Sequence, residues 1–356
     1  MQAFLLALIF LIWAPLTASA SGCGTRTSSK EALDANYLAA SLQEALESSH
    51  AASAVEADTV WWSGRRPAIP VFFHIVSDLS RYKITETHLV TQFQILRDFY
   101  SPLGFDFELK QILYYDYAHE SSGWYPQWKM MESLRVGTYH TLNVFIVVQV
   151  YDDEDPDDGD TIGLTNLPFQ GAKWNSPILG RDGVRMAISV LVGDHDASDE
   201  EHNEGKTLLH EVGHWLGLVH VFRGGCDPDL EFGGDYVLDT SPQSGPSEIC
   251  FPEGTLIHSC PPGFPPSEPG NLLDYQLDVC TYGLTRKQVG RMHAHFDLFR
   301  AGVPRDGEGM PADPYAPRGD PERISVPYVP SPEPVSAPPE VEAQRERRYA
   351  SMIWNA

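Results

Sequence analysis

Basic residues are scarce in this 356-residue chain: 25 Lys and Arg stand against 49 Asp and Glu, a formal charge of -24. So acidic a balance argues against a nucleic-acid partner and against an anionic membrane surface. Cysteine is sparse and no close Cys-x-x-Cys pair occurs, which speaks against a cysteine-built zinc site. No Asn-x-Ser/Thr acceptor is present, so N-glycosylation is not expected. Beyond the N-terminus no run is long and apolar enough to span a bilayer. What the chain does hold is 42% hydrophobic and 11% aromatic content, ample for one large core or two moderate ones.

The apolar run sits at the start. Ala3 to Leu16, followed by Ala18, Ser19 and Ala20, predicts a secretory signal over residues 1–20, although a basic n-region is missing. At about fourteen residues the run is short for a membrane anchor. An extracellular destination suits the cysteines. Cys226, Cys250, Cys260 and Cys280 crowd a Gly- and Pro-rich stretch with little apolar periodicity, which reads as two disulfides, and counting leaves three connectivities open. Cys23 is left over.

Residues 21–58 read as a pro-segment or leader with an amphipathic helical stretch around Leu38 to Leu46. Pro67 to Asp78 is β-branched and aromatic, a buried strand. Leu89, Phe93, Leu96 and Tyr100 recur at helical spacing from Thr85 onward. Phe105 to Ile112, Leu142 to Tyr151 and Val184 to Gly193 predict three more strands, which makes an α/β sheet with helices packed on it. The acidic run Asp152 to Asp160 reads as a solvated loop, with calcium the less favoured alternative. Thr285 and Gln288 make a capping box for a last helix reaching about Phe299. Residues 301–356, thick with proline and charge, read as a disordered tail, leaving 59–300 as the folded domain.

The most specific feature is HEVGHWLGLVH, residues 210–220, which fits H-E-x-x-H-x-x-G-x-x-H. On a helix His210 and His214 share a face and can reach one ion. Gly217 can take the left-handed conformation that ends the helix and returns His220 as a third ligand. Three protein ligands leave tetrahedral zinc a position for water, as at a catalytic site. Glu211 stands beside that water as candidate general base. His195 and His202, in the loop before this helix, are expected to be solvated.

The match extends further. Residues 203–222, 234–243 and 271–292 resemble signature segments of the metzincin metalloproteases, and within them the pappalysin-like group that includes secreted fungal extracellular metalloproteases. Weaker similarity runs back to about Val60. The resemblance implies a metzincin-type catalytic domain: a twisted mixed five-stranded sheet with the zinc helix, then a smaller irregular lower subdomain after Gly217, with the cleft between. It implies an edge strand at Gly163 to Pro168 on which an extended substrate pairs. It places Leu273 where a methionine is usual in the turn beneath the metal, a swap of similar volume. It suggests Tyr275 as a group that helps hold the tetrahedral intermediate, calcium on Asp235, the carbonyl of Leu238 and Thr240, and the pairings Cys226–Cys260 and Cys250–Cys280. Cys23 resembles a pro-segment cysteine that occupies the open zinc position and keeps a zymogen silent.

The resulting expectation is a secreted, monomeric zinc endopeptidase acting on peptide or protein substrates, without stable membrane association. Substrate preference is expected to depend on the loops from Gly224 to Asp274. The competing reading is a non-catalytic zinc-containing peptide-binding protein.

Overall fold

Every residue of Ile69–Ser77 is buried, as expected of an interior strand of a sheet covered on both faces. The computed structural model places it there, and describes residues 22–23, 30–51, 66–77, 82, 84–116, 127–151, 161–169, 172, 176–193, 198–229, 234–247, 249–267, 269–301, 324–326 and 353–354. The expected signal at 1–20 and the acidic run at 152–160 lie outside these residues. In chain order the elements are β1 (Gly22–Cys23), α1 (Lys30–Ala51), β2 (Ile69–Ser77), α2 (Glu86–Tyr100), β3 (Phe107–Asp116), α3 (Gln127–Leu134), β4 (Leu142–Val147), β5 (Thr161–Thr165), α4 (Pro177–Gly180), β6 (Val184–Ala187), α5 (Lys206–Trp215), β7 (Leu284–Thr285), α6 (Arg286–His295), β8 (Ile324–Val326) and β9 (Ile353–Trp354).

The sheet runs β1-β5-β6-β4-β2-β3-β8. Without the short outer strands β1 and β8 it is the mixed five-stranded sheet expected: β3, β2, β4 and β6 are parallel neighbours, and β5 runs antiparallel to β6. α2 starts at a Thr85 cap and turns Leu89, Phe93, Leu96 and Tyr100 into the core. One buried polar cluster ties the layers together. Arg135 and Arg300, both 0% exposed, meet the two oxygens of Asp182 at 2.9 and 2.8 Å. Their remaining donors reach carbonyls, among them Trp215 at the end of α5, at 2.8 Å from Arg300. Removing one partner of such a buried set typically costs about 3–5 kcal/mol.

Several expectations need correction. The strand foreseen over 184–193 stops at Ala187 and continues as a 3-10 turn at Ile188–Val190, still buried, because the chain bends there toward α5. The last helix ends at His295 and widens into a π-type turn over Phe296–Arg300, which carries Arg300 inward. α1 is longer than foreseen, and its buried face is Ala32, Ala35, Asn36, Ala39, Ala40 and Gln43, while Leu38 and Leu46 are exposed. Small and amide side chains let α1 approach α6 closely, where leucines would hold it off. The tail supplies β8 and β9, antiparallel to β3 and parallel to β7 respectively, so it is not structureless throughout.

After Gly217 the chain carries little regular structure before β7. Disulfides Cys226–Cys260 and Cys250–Cys280 bind this lower part, the pairing the family resemblance implied. Among the described residues no helix is long and apolar enough to cross a membrane.

Candidate active site

α5 presents Leu208, Leu209, Val212 and Trp215 to the core and His210, Glu211 and His214 to the cleft. It ends where Gly217 adopts φ 101°, with Gly217 N–H donating to His214 O at 2.8 Å and Leu218 N–H to Gly213 O at 3.0 Å. A side chain at Gly217 would meet the ring of His295 on α6, so both conformation and space demand glycine. The turn returns His220 to the first two histidines.

The Nε2 atoms of His210, His214 and His220 lie 3.0, 3.1 and 3.3 Å apart. His210 Nδ1 donates to Leu272 O at 2.6 Å and His214 Nδ1 to Leu218 O at 2.8 Å. A carbonyl can only accept, so these bonds fix the tautomer and leave each Nε2 a bare lone pair. Burial pushes His210 down to about 4 and His214 and His220 well below the usual imidazole value, so all are neutral. Three nitrogens this close need a cation between them. The edges of a tetrahedron with zinc–nitrogen bonds of about 2.0–2.1 Å are about 3.3 Å, close to the spacing found.

Glu211, 0% exposed, accepts a hydrogen bond from the Thr165 hydroxyl on β5 at 2.7 Å. Gly163, two residues earlier on the same face of β5, lies against the Glu211 carboxylate, where a Cβ would collide with it. Neither residue was recognisable as a partner of Glu211 from sequence. Their alternation along one strand was the available signal, but nothing local says which helix that face meets.

Beneath α5, Leu273 is fully buried, and a Cβ on Gly213 would lie 3.2 Å from it, so leucine fills the floor without a gap. Tyr275 stands edge-on to His220, ring centres 4.8 Å apart, and its hydroxyl donates to the Cys23 carbonyl. Cys23 lies opposite Gly163 in β1, which runs parallel to β5. The ligand atoms of Cys23, His210, His214 and His220 all fall within 4.8 Å of one another.

A family profile for the M43 peptidases, described as pregnancy-associated plasma protein-A, matches residues 138–297. The Extracellular metalloprotease 1 of Coccidioides posadasii is 31% identical over 299 residues, covering 82% of this chain and 96% of that one. The chain belongs to the pappalysin-like metalloproteases. An extracellular metalloprotease of Sordaria macrospora is 34% identical over 241 residues, or 65% of this chain and 76% of its own. Among solved structures, mature mirolysin of Tannerella forsythia, in complex with a cleaved peptide, superposes with a TM-score of 0.51 at 22% identity, covering 66% of this chain and 93% of that one. A promirolysin variant from the same organism gives 0.56 at 21%, covering 78% and 94%. These two share the metzincin fold.

Other expected residues of this pappalysin-like chain lie away from the three histidines. Asp235 is buried, which pushes its carboxyl up to about 8, and its oxygens accept from Val237 N–H at 3.0 Å and the Thr240 hydroxyl at 2.6 Å. The side chain of Leu238 points outward, 53% exposed. Among the described residues no further carboxylate or imidazole gathers with Asp235 into a metal-binding group. His202 is not solvated: it is buried, with Nδ1 3.1 Å from Asp199, because the loop folds back beside α5; His195 lies outside the described residues. The pocket next to the histidines is lined by Cys23, Ile162, His202, the start of α5 and residues between 272 and 281.

Proposed function

We propose that this metalloprotease is a secreted zinc endopeptidase, held latent by Cys23. The carrying observation is the convergence of three neutral histidine nitrogens, two of them with their tautomers fixed, beside a Glu211 carboxylate anchored by Thr165. His210, His214 and His220 would hold zinc, which would supply Lewis acidity to lower the pKa of a water and polarise the scissile carbonyl. Glu211 takes the proton of that water and delivers it to the leaving amine. The Cys23 carbonyl stands in for a substrate carbonyl, so Tyr275, already donating to it, has the reach to stabilise the negative charge that develops there. The Cys23 sulfur, grouped with the three histidine nitrogens, would hold the same ion as a thiolate and keep water from it until the segment leaves. Calcium at Asp235 would require the Thr240 hydroxyl to turn away from the carboxylate, so the metal proposed is zinc alone. The extracellular names of the relatives support secretion.

The test is cleavage of a mixed peptide library by the matured chain, with a chelator and after zinc is restored, read by mass spectrometry. Glu211→Gln is expected to bind zinc at full stoichiometry and to lose about 10²–10⁴-fold in kcat. A Gln variant that turned over peptide at the native rate would remove the role given to Glu211. Cys23→Ala is expected to be active without maturation.

A further inference from the structure

Gln276 is 5% exposed, and neither its amide nitrogen nor its amide oxygen has a hydrogen-bond partner. It lines the pocket beside the histidines, together with Lys206, Thr207, Glu211 and Asp278. Buried amides are nearly always satisfied, so one that lines a cavity with both ends unpaired is matched to something the fold does not supply.

The pocket borders Glu211, the group that hands a proton to the leaving amine. The residue contributing that amine is the one after the scissile bond, and its side chain is the one placed to enter.

The pocket's charges are already committed within its wall. The Lys206 ammonium donates to the carbonyls of Asp278 and, at 3.0 Å, Thr281. An Asp278 oxygen accepts from the N–H groups of Glu204 and Lys206 at 2.9 and 3.3 Å. Asp274, also in the wall, accepts from Gln243, Ser247 and Tyr275 at 3.1, 2.9 and 2.9 Å. An entering carboxylate meets two others, and an entering cation finds both of those carboxylates already holding donors of the wall. An apolar side chain leaves the Gln276 amide without a partner and cut off from water. A carboxamide does none of these, because it can donate to the amide oxygen of Gln276 and accept from its nitrogen at once.

We infer that Gln276 reads the residue following the scissile bond and selects glutamine or asparagine there. The inference rests on the peptidase reading above. Its test is a peptide series varied only at that position, cut by the matured zinc enzyme. Wild type is expected to show kcat/KM about tenfold or more higher for Gln or Asn than for Leu, Glu or Arg. Gln276→Met, close in length but without the amide, is expected to reverse the order toward Leu and Met. A wild-type preference for Arg, Lys or an apolar residue overturns the inference, even if the Met variant does not fold. So does a folded, zinc-loaded Met variant that keeps the wild-type order. Failure of the peptidase reading looks different: a zinc-loaded, matured chain that cuts no peptide in the series.

Discussion

At the scale of single residues, the proposed mechanism has Tyr275 tie latency to catalysis, because the hydroxyl that donates to the Cys23 carbonyl would also serve the site of developing charge. Tyr275→Phe in the matured enzyme is expected to lower kcat by about 10²–10³-fold, with KM moved only a few-fold, since the bond strengthens as charge develops. Steady-state kinetics on a single peptide measures the split, and a large rise in KM at unchanged kcat would make Tyr275 a binding residue instead. The metal-facing residues were legible in the sequence because their geometry is local: His210, Glu211 and His214 lie within one helical turn and a half. Thr165, Gly163 and Gln276 were not. What they touch is decided by how β5 and the 271–281 segment pack on α5, which no short window of sequence contains.

At the scale of elements, the turn at Gly217 carries the third ligand and leans on α6. Gly217→Ala combines a left-handed backbone with a collision against His295, and each such strain costs of order 1–3 kcal/mol. Denaturant unfolding is expected to show a loss of about 2–4 kcal/mol, and zinc titration a weaker site, because His220 is displaced. Unchanged zinc affinity would separate the turn from ligand placement. The sheet was readable where apolar runs are long, as in β2 and β4. It was misread at 184–193, where residues are equally apolar but buried in a turn, since burial without period does not tell strand from turn. α1 differed otherwise: its amphipathic stretch was placed around Leu38 to Leu46, both of which are exposed, and its buried face is made of alanine and amides.

At the scale of the whole molecule, buried neutral histidines set a pH limit. His293 is pushed down to about 4, first by burial and then by Arg66, and His295 lies well below its usual value through burial, Arg291 and Arg300. Above pH 6.5 both are neutral folded or unfolded. As pH falls from about 6.5 toward 4 only the unfolded chain takes up their protons, so stability falls by up to about 1.4 kcal/mol per pH unit for each. Thermal melting at pH 7, 6 and 5 is expected to show a falling Tm, with a shallower slope for His293→Gln; equal slopes would exclude His293 as a source. The same corner of the molecule governs what maturation leaves behind. α1 rests on α6 through Asn36 to His295, Gln43 to Arg291 and the Lys287 carbonyl, and Glu47 to Lys287. A leader attached by leucines would, on leaving, strip a greasy scar onto the enzyme at the moment of its release. If α1 leaves at maturation, it would uncover Lys287, Arg291 and His295, groups that water can wet, beside the apolar Leu167 and Val219 that cluster with Ala32.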